Sequence, residues 1–140
     1  MDTNEKGDIA CQKVILRALE KGIGVSRPIS DASRYDLILD KNGKLYRTQI
    51  KYCDGERSNA QGSIAIRLQA DNKKPIEKGG RRWTYSVDEI DVVIAYFPRY
   101  DKFCWFEASM IADKTAITVR FEKPANGQVK GLHLAEEYEW

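Results

Sequence analysis

Asn42-Gly43, inside the stretch "YDLILDKNGKLYRTQIKY", constrains this chain more than any other pair of residues. Asn-Gly between apolar-rich runs is the strongest short-range signal for a two-residue type I′ hairpin, because both central residues must take positive φ. Such a turn pairs Lys41 with Lys44 and fixes every pairing that follows. Asp36 then faces Gln49, and directly opposed side chains of an antiparallel pair share one face. Lys51, two residues on, joins that face diagonally to Asp36. The other face carries Tyr35, Leu37, Leu39, Tyr46, Thr48 and Ile50 and is fit for burial. The hairpin therefore has one apolar face and one face that holds an acid, an amide and an amine.

A chain of 140 residues is most simply one domain with a real core. No apolar run approaches the roughly 20 residues needed to cross a bilayer. The opening "MDTNEKGD" lacks the basic flank and apolar stretch of a signal peptide. Cys11, Cys53 and Cys104 are too widely spaced for a CxxC metal motif and odd in number for a disulfide framework, which suggests a reducing, cytoplasmic setting. One histidine, His133, cannot anchor a multi-histidine metal site.

Net charge is only +2 but unevenly placed: Lys41 to Arg82 holds 11 basic and 4 acidic residues, the remainder 12 and 17. This segregation favours a polyanionic partner, since phosphate neutralisation supplies most sequence-independent affinity for nucleic acid.

Periodicity predicts a helix over about Gly7 to Lys21, with Ile9, Leu16 and Leu19 on one stripe, Asp8, Cys11, Ile15 and Ala18 on the next, and Gly22 as terminator. "GIGVSRPISDASR" reads as a loop leading into the hairpin. Ser63 to Gln69 alternates as a strand, with Ile64, Ile66 and Leu68 on one face. "RRWTYSV", Arg81 to Val87, alternates likewise after the stretch "ADNKKPIEKGG". Paired, these two strands would form a basic ribbon suited to the major groove of duplex DNA; an ordinary meander with a wet polar face would show the same alternation. Asp91 to Phe97, "DVVIAYF", is continuous enough for a central strand covered on both faces. "KFCWFEA" returns beside it, and a helical piece near Ser109 to Ile111 precedes a strand over Ala116 to Glu122.

The polar hairpin face suits metal-assisted phosphodiester hydrolysis. Asp36 would hold a hard divalent cation, Mg²⁺ above all. Lys51 would stabilise charge on the reacting phosphate or orient water. Gln49, uncharged, would assist through its amide. The same trio would also suit a solvated surface.

The order helix, "YD", hairpin ending in "QIK", and apolar strand resembles the PD-(D/E)xK nuclease superfamily. The resemblance implies an α/β fold, a restriction-endonuclease-like mixed β-sheet core flanked by helices, with an inserted basic two-stranded DNA-binding ribbon over residues 55–87 of a single domain, 1–140. Asp36 matches the first acid, and Gln49 and Lys51 the outer positions of the triplet; the Ile50 carbonyl would add a metal ligand. The inserted ribbon and the glutamine variant look most similar to intron-encoded homing endonucleases of this class.

Three departures matter. Tyr35, not proline, precedes Asp36, a tolerable change. Gln49 stands where an acid is usual, and where the family often brings a glutamate from the first helix this chain has Cys11, with Asp8 one turn earlier. A thiol is a poor ligand for a hard cation. Either Cys11 replaces an acid and weakens or abolishes cleavage, or it is a small helix residue and Asp8 supplies the charge.

The resemblance thus implies a site-specific, Mg²⁺-dependent endonuclease for double-stranded DNA, with Asp36, Gln49, Lys51 and Cys11 at the reacting centre and Asp36, Ile50 and Asp8 near the metal. Arg57, Arg67, Gln69, Lys73, Lys74, Lys78, Arg81 and Arg82 are the candidate DNA contacts. A duplex cut needs two sites, hence a homo-oligomer, dimer or tetramer. A Holliday-junction resolvase and a DNA-binding protein without hydrolytic activity are the alternatives.

Overall fold

In the computed structural model, which describes residues 1–30, 32–55, 62–70, 83–122 and 133–140, Asn42 and Gly43 have φ of 55° and 81°. This is the double positive φ that a type I′ turn demands. Strands β2 (Leu37–Lys41) and β3 (Lys44–Tyr52) pair in the predicted register, from Lys41 with Lys44 to Leu37 with Thr48. Leu37, Leu39, Thr48 and Ile50 are buried on the predicted face.

Helix α1 spans Thr3–Glu20, starting earlier than its apolar periodicity suggests. The cause is a capping box: the Glu5 N–H donates to Asp2 Oδ1 at 2.8 Å, and the Asp2 N–H donates to Glu5 Oε2 at 2.9 Å. Two otherwise orphaned donors are satisfied, so the helix begins there. Its buried face is Ala10, Val14 and Ala18, while Leu16 and Leu19 stay exposed. Small residues at i, i+4 and i+8 let the helix lie close on the sheet.

"GIGVSRPISDASR" is not wholly loop. Gly24–Ser26 forms strand β1, antiparallel to β2 with Ser26 opposite Ile38. The remaining elements are β4 (Ser63–Arg67), β5 (Gln69–Ala70), β6 (Trp83–Thr84), β7 (Val92–Phe97), β8 (Lys102–Glu107), α2 (Ala108–Ile111), β9 (Ala116–Arg120), β10 (His133–Leu134) and α3 (Ala135–Tyr138). A five-stranded mixed sheet runs β1-β2-β3-β7-β8, with β3 and β7 parallel. A second mixed sheet runs β10-β9-β4, and β5 pairs with β6.

Every residue of β7 is buried, and its alternation explains the unbroken apolar run. Val92, Ile94 and Tyr96 pack with α1, Leu37 and Ile50; Val93, Ala95 and Phe97 pack with Ile64, Ile66, Phe106, Ile111 and Val119. The fold is thus α1, the larger sheet, then the smaller sheet with α2: a mixed α/β core of layered elements.

Among the described residues, the two strands predicted to form a ribbon pair with each other only at their ends. Ser63–Arg67 pairs with Ala116–Arg120, not with the segment after Arg81, because fully buried Ile64 and Ile66 complete the core on the side away from α1. Pairing across the insertion is Gln69 with Thr84 and Ala70 with Trp83. Residues 71–82 lie outside the described residues. Among those described, no helix is long and apolar enough to cross a membrane.

Candidate active site

Strand β3 is longer than its partner. It pairs with β7 as far as Tyr52, whereas β2 reaches only Thr48. Beyond that point the β2-side edge of β3 would present unpaired backbone, and Asp36 meets it. The Asp36 N–H donates to the Thr48 carbonyl at 2.8 Å. The Ile50 N–H then donates to the Asp36 carboxylate, at 2.9 Å from Oδ2. The acid therefore closes the ladder with its side chain, and that bond fixes where its carboxylate points.

A cleft of about 820 Å³ opens at this place. Its floor is Asp36, Gln49 and Ile50; one wall is the start of α1, including Gly7, Asp8 and Cys11; the other is the β1–β2 connection, including Arg27, Pro28, Ser30 and Tyr35. The two acids, the amide, the Ile50 backbone and position 11, far apart in sequence, are thus brought together. Burial raises the Cys11 thiol's pKa, Arg27 opposes the rise, and Asp36 and Asp8 add to it. Position 11 is accordingly a neutral thiol at pH 7.

Lys51 behaves differently. It shares with Gln49 the face of β3 opposite α1 but is half-buried one step further along, with its ammonium 5.0 Å from the centre of the Tyr85 ring. It is not among the cleft-lining residues. Arg67 is exposed on β4 and Gln69 lies on β5, half-exposed. Arg57, Lys73, Lys74, Lys78, Arg81 and Arg82 fall outside the described residues.

A family model described as PD-(D/E)XK endonuclease matches residues 1–140. The chain belongs to the PD-(D/E)XK endonuclease family. Among solved structures it is similar to a bacterial homing endonuclease, I-Ssp6803I, with a TM-score of 0.78 and 25% identity over 99% of this chain and 89% of that one. No curated protein matches.

PD-(D/E)XK nucleases generally use divalent metals. Among the described residues, no three His, Cys, Asp or Glu side chains gather into a group that could hold an ion alone. The residues lining the cleft include Asp8, Asp36, Gln49 and Ile50, which carry two carboxylates, an amide oxygen and a backbone carbonyl. That set fits Mg²⁺, which binds through one or two carboxylates while keeping waters and substrate phosphate. It does not fit a softer ion, apart from the lone thiol.

Sequence reasoning overlooked Arg27 and its neighbours. A signal for them existed: Ile23 and Val25 alternate as a strand should, and a strand there would bring Arg27 to the hairpin's open end.

Proposed function

We propose that this chain is a site-specific DNA endonuclease of the homing type, hydrolysing phosphodiester bonds of double-stranded DNA with Mg²⁺ or another divalent cation. The observation that carries this reading is the cleft, in which Asp8 and Cys11 on α1 face Asp36, Gln49 and Ile50 on the hairpin. Asp36, Asp8 and the Ile50 carbonyl would hold the ion, which supplies charge neutralisation at the phosphate and activation of water. The Ile50 N–H keeps the Asp36 carboxylate oriented; Gln49 orients water through its amide. Lys51 contributes positive charge once it leaves the Tyr85 ring for the reacting phosphate. Arg67 and Gln69, with the basic residues of 55–87, form the DNA-contacting insertion of one domain that spans 1–140. A double-strand break requires two such clefts, hence a dimer or tetramer, acting in the cytoplasm.

The test is incubation of the chain with a duplex library in Mg²⁺, then in Ca²⁺, sequencing cut ends and bound fragments. Cleavage at recurring sites in Mg²⁺, with binding alone in Ca²⁺, is expected. Cutting confined to four-way junctions would identify a resolvase instead.

The neutral thiol at position 11 favours a second reading, a DNA-binding protein with weak or absent cleavage. Cys11→Glu adds a carboxylate to the same wall. If the substitution raises cleavage, position 11 limits the reaction; if both chains cut equally, Asp8 suffices.

A further inference from the structure

We infer that Arg27 grips a backbone phosphate of the DNA strand lying in the cleft, a substrate contact that rests on the endonuclease reading above. The last pair between β1 and β2 is Ser26 with Ile38. Continuing that register sets Arg27 opposite Leu37 and Pro28 opposite Asp36, so the chain leaves β1 beside the acid. Arg27 lines the cleft, and its charge acts on Cys11 across it.

Among the described residues Arg27, unlike several other arginines, has no protein partner. Arg17 donates to the Trp140 carbonyl, Arg34 pairs with Glu89, and Arg47 pairs with Asp91. Arg27, although Asp8 and Asp36 line the same cleft, makes no hydrogen bond or ion pair among the described residues. An exposed guanidinium that its own chain leaves unbonded keeps its planar fork for a ligand, and phosphate matches that fork through two parallel hydrogen bonds. The electrostatics favour such a cation. Without it, and before any metal ion binds, a phosphate entering the cleft would meet two carboxylates and a neutral thiol, while the Lys51 ammonium lies over Tyr85.

The test uses duplexes recovered from a randomised library by binding to the full chain. Their affinities for wild type, Arg27→Ala and Arg27→Lys are measured in EDTA across a series of KCl concentrations. Arg27→Ala should weaken binding roughly tenfold, as for one lost charge-assisted contact, and lower the slope of log affinity against log salt by about 1. Arg27→Lys should restore the slope while leaving affinity below wild type, because the charge returns without the fork. Thermal unfolding midpoints should not change, since the side chain is exposed and unbonded. A wild-type slope and affinity in Arg27→Ala would overturn the inference and leave the endonuclease reading standing. Wild type binding no duplex would instead overturn that reading, and this inference with it.

Discussion

Asp36 has two duties that substitution can separate. Its carboxylate accepts the Ile50 N–H and brings negative charge to the cleft. Asn keeps an acceptor oxygen and loses the charge, whereas Ala loses both. Asp36→Asn should stay within about 1 kcal/mol of wild type in denaturant unfolding, while Asp36→Ala should lose about 1–2 kcal/mol for a backbone donor left unsatisfied. If the chain cleaves DNA with Mg²⁺ as proposed, both should abolish cutting of a duplex that wild type cuts. The adjacency of Asp36 and Gln49 was legible in the sequence because a two-residue turn leaves no freedom of register. The placement of Lys51 over Tyr85 was not, since it depends on a ring 34 positions later in the chain. Arg27 was hidden for the same reason: its meaning comes from the pairing of β1 with β2, and a three-residue strand carries almost no periodicity.

Among the elements, β3 and β7 are locked at their starts by one clamp. Arg47 Nε lies 3.0 Å from Asp91 Oδ2 and Arg47 Nη2 3.1 Å from Oδ1. The Arg47 N–H also donates to Oδ2, at 2.7 Å, and the Arg47 carbonyl accepts the Asp91 N–H at 2.8 Å. The side-chain hydrogen bonds from Arg47 hold the Asp91 carboxyl below its usual pKa. A depressed acid stabilises the fold above its unfolded pKa, about 3.9, and that contribution fades as pH falls through the lower folded value. Asp91→Asn should therefore cost about 1–2 kcal/mol at pH 7, a figure reduced by partial exposure of the pair. Urea unfolding at a series of pH values should show the two chains converging below about pH 4 and parallel above it. Helix α1 teaches the complementary lesson. The large residues Leu16 and Leu19 suggest a buried stripe, yet the sheet takes Ala10, Val14 and Ala18, because close approach of a helix to a sheet rewards small side chains over bulky ones.

For the molecule as a whole, the layered core predicts how its thiols react. Cys53 and Cys104 lie buried between the two sheets, both with pKa values pushed up to about 12 by burial. Cys11 is half-buried in the cleft wall. Native protein treated with a maleimide at pH 8 should label at Cys11 alone by mass spectrometry, more slowly than a free cysteine, because its raised pKa leaves less thiolate. Cys53 and Cys104 should label only as the whole fold opens, following global stability as denaturant rises. Rapid modification of Cys53 in native conditions would contradict this layer order. That order was partly legible beforehand, since "DVVIAYF" announces a strand with two covered faces. The elements that cover its second face were not, because the apolar residues of β4 and β9 specify burial without specifying a partner.

The closing of the β3 edge by Asp36 also has a history in time. The contact between Asp36 and Ile50 belongs to a single hairpin, a structure that forms within about 1–10 μs. The opposite edge of β3 waits for β7, with Gln49 meeting Val93 only after the long intervening segment has folded back, and distant pairings are slow. The chain thus aims its acid early and gains the rigid floor beneath it late.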